Sequence, residues 1–167
     1  KKYCGTGAVL MTYAENTRDY FEMFYGKNTN LFIYDPEFAE IFADFAFGEV
    51  VNHDDLDDRT RFMAILASLL GCQGTDVFRA VLPAALDFGV TPAEIKEMIY
   101  QAAAYLGMGR IFPFLNITNE VFEERGIPLP LPPLSAVTRQ NRREAGTRAQ
   151  VDIFGEGMED FWRSGPE

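Results

Sequence analysis

Apolar residues recur at i, i+3, i+4 and i+7 along most of this chain, and no segment alternates between apolar and polar residues as a strand does. This spacing predicts helices that each bury one apolar face. The expected buried faces are Phe38, Ile41, Phe42 and Phe45 after Pro36, Phe62, Ile65, Leu66 and Leu69 after Asp58, and Phe78, Val81, Leu82 and Ala85 after Asp76. The pattern therefore predicts an all-α fold.

Residues that favour helix ends divide the pattern into segments. The clearest start is "TPAE", where Thr91 is the expected N-cap, Pro92 follows it, and Glu94 can reach back to complete a capping box. Glycine at Gly107 ends that helix. A first helix is expected within Ala8 to Tyr25, and a second begins with Asp35 and Pro36 and ends at the break "GEVVNHDD", Gly48 to Asp55. The next runs from Asp57 or Asp58 to Gly71. Two more are a helix capped by Thr75 or Asp76 with Pro83 inside it, and one from roughly Arg110 to Arg125 with Pro113 in its first turn.

A proline-rich segment begins the last quarter of the chain. Four prolines between Ile127 and Leu134 favour a stiff, extended connector, and one or two further helices follow it. We therefore divide the chain into a helical lead-in (1–55), a central unit (56–126), and a connector with a helical tail (127–167). The tail begins with a basic stretch that is either a solvated face or a patch that docks on the acidic body or a sister subunit. Its cations are Arg139, Arg142, Arg143 and Arg148.

The charge balance narrows the partners of this 167-residue chain. Fifteen Lys and Arg residues against 25 Asp and Glu give a formal net charge of −10, which disfavours nucleic acid and anionic membrane surfaces. No apolar run reaches transmembrane length. Two cysteines, Cys4 and Cys72, cannot form a disulfide framework, so we expect reduced thiols in a cytoplasmic protein. A small-molecule substrate is compatible with this composition.

Cys72 is the catalytic candidate that the residues offer. It stands between two glycines just before the helix expected near Thr75, where the positive helix end favours a thiolate. Against this, no second cysteine lies two or three residues away, and no histidine follows on the next helix. Cys72 is thus either a working thiol or an inert residue at a helix break, and we favour the inert interpretation.

The other ionisable residues predict no cofactor or metal site. His53 is the single histidine and lies among loop aspartates, too few ligands of defined spacing for a metal. The nearby aspartates lack the glycine and terminal glutamate of a calcium loop. Glu94 and Glu97 could divide acid and base roles, but the capping box already accounts for Glu94.

The order of features from Leu56 to Gly107 resembles the carboxymuconolactone decarboxylase family, which has the AhpD-like all-helical bundle fold. The resemblance rests on "LDDRTRFMAILASLLGCQG" and above all on "ALDFGVTPAEIKEMIYQAAAYLG", Ala85 to Gly107. It implies decarboxylase or lyase-type chemistry on a small organic acid or lactone. It also implies a homo-oligomer, a trimer or a hexamer.

At the positions where the family has its catalytic residues, this chain has other residues. The histidine of the decarboxylase branch falls on Val81, and the two cysteines of the peroxidase-related branch fall on Gly74 and Val77. Three functions follow as expectations: a decarboxylase-like unit that lacks its histidine, a thiol peroxidase of the alkylhydroperoxidase or peroxiredoxin type that uses Cys72, or a non-catalytic oligomerisation unit. Longer members carry two such units in tandem. The segment "VDIFGEGMEDFWRSGPE" resembles the lead-in to another such unit. We therefore expect these 167 residues to be the first half of a longer protein whose second half holds the histidine.

Overall fold

The structure is a computed structural model that describes Phe21, Tyr25 and residues 30–53 and 55–164. Within those residues every regular element is a helix and none is a strand, which confirms the all-α prediction. The predicted helix within Ala8 to Tyr25 lies, apart from Phe21 and Tyr25, outside the described residues. The helices are α1 (Leu31–Tyr34), α2 (Pro36–Ala43), a π-helical segment (Asp44–Val50), α3 (Val51–His53), α4 (Asp58–Gly71), α5 (Thr75–Asp87), α6 (Pro92–Leu106), α7 (Met108–Glu124), α8 (Arg142–Phe154) and α9 (Gly157–Ser164).

The buried face of α2 differs from the predicted one. Pro36 begins the helix as expected, but Ala39 and Ala43 face the core, together with Phe47 of the π-helical segment. Three of the four residues predicted to be buried are exposed instead: Phe38 by 59%, Ile41 by 63% and Phe45 by 56%. This segment is apolar on two sides, so its spacing alone does not decide which side packs.

The chain also stays helical further than the sequence indicated. The π-helical segment and α3 continue the helix to His53, in place of the predicted break. The side-chain amide of Asn52 donates hydrogen bonds to the carbonyl oxygens of Gly48 at 2.8 Å and Phe47 at 3.3 Å. These bonds link the side chain of Asn52 to the backbone of the π-helical segment.

Helices α4 to α7 enclose the main core. α6 packs on α7 and α4, and α5 packs on α4 and α7. The rings of Phe78 and Phe114 meet edge to face with centroids 5.0 Å apart, so α5 and α7 share one aromatic contact. The fully buried large side chains are Phe62, Leu66, Phe78, Val81, Leu82, Val90, Ile95, Ile99, Ile111, Phe114, Val121 and Phe122.

The helix caps follow the sequence in α4 and α6. Asp57 accepts a 3.0 Å hydrogen bond from the backbone of Thr60, and Thr91 and Glu94 form the predicted capping box. Gly107 adopts φ 82° where α6 ends, a conformation that favours glycine.

Two predicted helix starts are wrong. α5 has Gly74 as its N-cap and Thr75 as its first residue, so neither Thr75 nor Asp76 caps it. α7 begins at Met108, two residues before the predicted Arg110, which places Pro113 in its second turn. The N-cap of α5 is thus a glycine, whereas the sequence pattern predicted an N-cap with a polar side chain.

Residues up to Leu131 and residues from Pro132 form two compact units. In the first unit, Ile127, Leu129 and Leu131 pack against the core beyond the end of α7. In the second, α8 contacts α9, and the indole N–H of Trp162 donates a hydrogen bond to the side chain of Gln150. Neither helix of the second unit contains a buried residue. The prediction of one or two further helices after the connector is confirmed.

Candidate functional site

Cys72 lies in the turn between α4 and α5. It is the C-cap of α4, its side chain is exposed, and its thiol donates a long 3.6 Å hydrogen bond to the carbonyl oxygen of Leu69. Gln73 follows with φ 63°, in the left-handed region that side chains rarely adopt, and this tight turn leads directly into α5. The thiol is therefore accessible and held only by backbone.

The turn brings the sulfur of Cys72 next to Gly74. A Cβ atom added to Gly74 would lie 3.5 Å from the Cys72 sulfur and 3.1 Å from Cδ2 of Leu69. Val77 lies one turn into α5 and is 38% exposed. Cys72 thus lies, in space, beside the place that the resemblance assigns to the first cysteine of the peroxidase-related branch, although it lies two residues earlier in the sequence.

Val81, the position that the resemblance assigns to the histidine, belongs to the core. Its exposure is 0%, as is that of its helix neighbours Phe78 and Leu82, and all three are part of the main hydrophobic cluster. An isopropyl group has no proton to transfer, and full burial removes it from solvent. In this structure the position contributes packing.

Lys96 is a buried charged residue that the sequence reasoning missed. It lies on α6 with 7% exposure, its ammonium donates a hydrogen bond to the side-chain oxygen of Asn119, and it lies 5.8 Å from the ring centre of Phe122. Burial lowers the pKa of this amine, because desolvation disfavours its charged form. Its spacing from Ile99, three residues on, was the available signal that it adjoins the buried stripe.

Two further buried polar groups lie in the first unit. Arg61 is 8% exposed and donates hydrogen bonds to the carbonyl oxygens of Leu56 at 3.1 Å and Val51 at 3.3 Å, so it fastens α4 to the chain before it. Thr118 of α7 has 0% exposure, and its hydroxyl has no hydrogen-bond partner in the structure. Neither residue stood out in the sequence, because burial of a polar side chain depends on distant elements.

The remaining ionisable candidates do not converge. His53 is exposed at the end of α3, and Glu97 is exposed on α6. Glu94 is engaged twice, by the capping box and by an ion pair with Arg59. Among the described residues, no three His, Cys, Asp or Glu side chains are grouped closely enough to hold a metal ion.

A shallow groove of ≈ 390 Å³ lies away from these residues. It is formed by the end of α5, the start of α6 and the chain after α7, and it includes Thr91 and Arg125 but neither Cys72 nor Val81. Its cation, Arg125, is already paired with Asp87. We therefore place no reacting group there.

Comparison with known proteins identifies the scaffold. In the described residues no helix is long and apolar enough to cross a bilayer. Residues 36–120 match the model of the carboxymuconolactone decarboxylase family, a match that begins ahead of the central unit expected at 56–126. Over 98 residues the chain is 33% identical to 4-carboxymuconolactone decarboxylase of Acinetobacter baylyi, which corresponds to 59% of this chain and 73% of that protein. The resemblance seen in the sequence is confirmed: the chain belongs to the carboxymuconolactone decarboxylase family.

Proposed function

We propose that this chain is a unit of a protein with decarboxylase or lyase-type chemistry on a small organic acid or lactone. We further propose that the unit itself does not supply the proton-transferring histidine. Support for the reaction class comes from family membership and from the relative whose name specifies a carboxylated lactone. Fold and family alone do not establish a reaction. Whether this unit supplies the histidine is therefore argued from its own residues.

The observation that carries the second part is the burial of Val81. The resemblance places the histidine there, and the structure has an aliphatic side chain with 0% exposure inside the main cluster. A general acid or base contributes typically 10²- to 10⁴-fold to a rate. A unit that holds its substrate without that group retains binding and loses most of the turnover.

The test measures binding and turnover separately on 4-carboxymuconolactone, with the Acinetobacter baylyi enzyme as the positive control. We expect the lactone to raise the melting temperature of this chain and to be consumed at least about 10²-fold more slowly than by the control. Turnover within tenfold of the control would contradict the missing-histidine proposal. Absence of any lactone-induced stabilisation would contradict the assignment to this substrate class.

A thiol peroxidase is the second candidate, and the exposed sulfur of Cys72 beside Gly74 favours it. In that reaction the Cys72 thiolate attacks a peroxide oxygen, an alcohol or water leaves, and the resulting sulfenic acid is returned to the thiol by an added dithiol reductant. The activity requires a reduced thiol, which a cytoplasmic location would maintain. Cys72→Ser should abolish peroxide consumption and Cys4→Ser, the matched control, should leave it unchanged. Equal rates in both variants would remove this candidate.

A non-catalytic oligomerisation unit is the third candidate. The observation that favours it is the amount of apolar side chain left exposed on the first unit, including Phe38 on α2 and Phe112 on α7, which are 59% and 53% exposed. A trimer or a hexamer would cover such residues. Light scattering that finds only monomer at micromolar concentration would count against this candidate.

A further inference from the structure

The helix that begins with α2 presents a row of large apolar side chains to solvent. Phe38, Ile41 and Phe45 follow one another at spacings of three and four residues, which places them on one side of consecutive helical turns. Their exposures are 59%, 63% and 56%. Ala39 and Ala43 face the core on another side of α2, so the packing of the first unit leaves this row uncovered.

Aromatic contacts hold the apolar row in place. The ring of Phe38 stacks on the ring of Phe42, with centroids 6.1 Å apart and planes inclined by 24°. Phe42 is partly buried and meets Phe21 and Tyr25 edge to face, each with centroids 6.0 Å apart. A side chain that its neighbours already fix loses little conformational entropy when a partner covers it. The row is therefore preorganised for binding.

A row of carboxylates borders the apolar row. Glu37, Glu40 and Asp44 repeat its three- and four-residue spacing one position earlier, and all three are exposed. From Asn30 to Asp58 the sequence contains nine acidic residues and no Lys or Arg. Neither Glu37 nor Glu40 forms an ion pair within the part of the chain that the structure describes. The two rows, which we together call the α2 face, offer apolar contacts and uncompensated negative charge side by side.

The other described parts of this chain do not complement the α2 face. In residues 30–131 the cations other than Arg110 are paired or buried: Arg59, Arg79 and Arg125 are in ion pairs, and Arg61 and Lys96 are buried. Residues 132–164 contain five arginines and five carboxylates, so they have no excess of positive charge. A second α2 face would bring like charges together, which is unfavourable. Charge complementarity therefore favours a partner other than this chain.

We propose that the α2 face binds a basic amphipathic helix of another protein. Side chains at three- and four-residue spacing form a ridge along a helix, and a second helix packs on such a ridge with an apolar stripe of the same spacing. Lys or Arg residues beside that stripe then pair with the carboxylate row, as charged residues do beside the seam of a coiled coil. From Phe38 to Phe45 the row is about 10 Å long, so a partner helix of about three turns covers it. This inference concerns an interaction and does not depend on the proposed chemistry.

Charge reversal on both sides of the contact tests the pairing in the full chain. The basic probe is a synthetic peptide of leucine and lysine, about 15 residues long, with leucine at three- and four-residue spacing. The acidic probe has glutamate in place of each lysine. Titration calorimetry at low salt should show that the native chain binds the basic probe at least about tenfold more tightly than the acidic one. The variant with Glu37→Lys and Glu40→Lys should bind the basic probe at least about tenfold more weakly than the native chain, and the acidic probe more tightly.

The matched control for charge is Glu97→Lys with Glu123→Lys, which makes the same change in net charge at exposed positions on α6 and α7. It should bind the basic probe like the native chain, and circular dichroism should show native helix content in both variants. The matched control for the apolar row is a peptide of the same composition in which leucine and lysine alternate. It has no apolar helical stripe, so the native chain should bind it at least about tenfold more weakly.

Three results would overturn the proposal. Equal losses in the two charge variants would show that net charge, and not the α2 face, decides binding. Equal binding of the alternating peptide would show that the apolar row takes no part. Sedimentation velocity that shows a native oligomer and a monomeric Phe38→Ser variant would assign the α2 face to a second copy of this chain.

Discussion

The buried hydroxyl of Thr118 leads to an unusual prediction, because a substitution in the core is expected to stabilise the protein. Thr118 has 0% exposure, and its Oγ1 atom has no hydrogen-bond partner. Burying a hydroxyl without a partner costs about 1–3 kcal/mol. Valine has the same shape with a methyl group in place of the hydroxyl, so Thr118→Val removes that cost and leaves no cavity.

We expect Thr118→Val to raise the free energy of unfolding by about 1 kcal/mol. With a urea dependence of about 2 kcal/mol per molar, the unfolding midpoint rises by about 0.5 M. The assay is a urea titration followed by far-ultraviolet circular dichroism. Thr91→Val is the matched control, because there the same change removes a hydroxyl that caps α6 and bonds to Glu94. That variant should lose about 1 kcal/mol.

The same Thr→Val substitution should therefore shift the unfolding midpoint in opposite directions at positions 118 and 91. An unchanged or lower midpoint for Thr118→Val would refute the reasoning, since it would mean that the hydroxyl is satisfied in the folded protein. A shift of equal sign in both variants would show that the hydrogen bonding of the two hydroxyls does not decide stability at these positions.

Two further predictions concern Lys96 and Phe38. Burial lowers the pKa of Lys96 below its ordinary 10.5, so the unfolded chain holds that proton more tightly and the free energy of unfolding rises with pH between the lowered value and 10.5. Lys96→Met should remove this rise in urea titrations between about pH 8 and 11, and a variant that keeps the native pH profile would contradict the account. Phe38 is 59% exposed, so Phe38→Ser in dilute protein should change the free energy of unfolding by less than about 0.5 kcal/mol. A loss above about 2 kcal/mol would show that Phe38 is buried in the core.

Local spacing was enough to predict the helix ends that depend on neighbouring residues. The capping box of Thr91 and Glu94 needs only two side chains three residues apart, and the structure forms it as predicted. Gly107 likewise ends α6 through its own backbone conformation. The family resemblance between Leu56 and Gly107 rested on such local features, which explains why fold class and family were accessible from the sequence.

Features that depend on distant residues could not be predicted. The buried environment of Lys96 includes Asn119, which lies 23 residues away on another helix. The choice between the two apolar sides of α2 depends on what packs against it, and the sequence pattern favoured the side with Phe38. The sulfur of Cys72 lies beside Gly74 only because Gln73 adopts a left-handed conformation, which the sequence did not indicate.

The most direct test of the central claim is the stability and turnover of Val81→Ala. The account assigns position 81 to packing, so the loss of two buried methyl groups should lower the free energy of unfolding by about 2–3 kcal/mol. Any residual lactone turnover, corrected for the folded fraction, should stay unchanged. A variant of native stability whose turnover has fallen would contradict the claim, because it would place Val81 at a reacting site and not in the core.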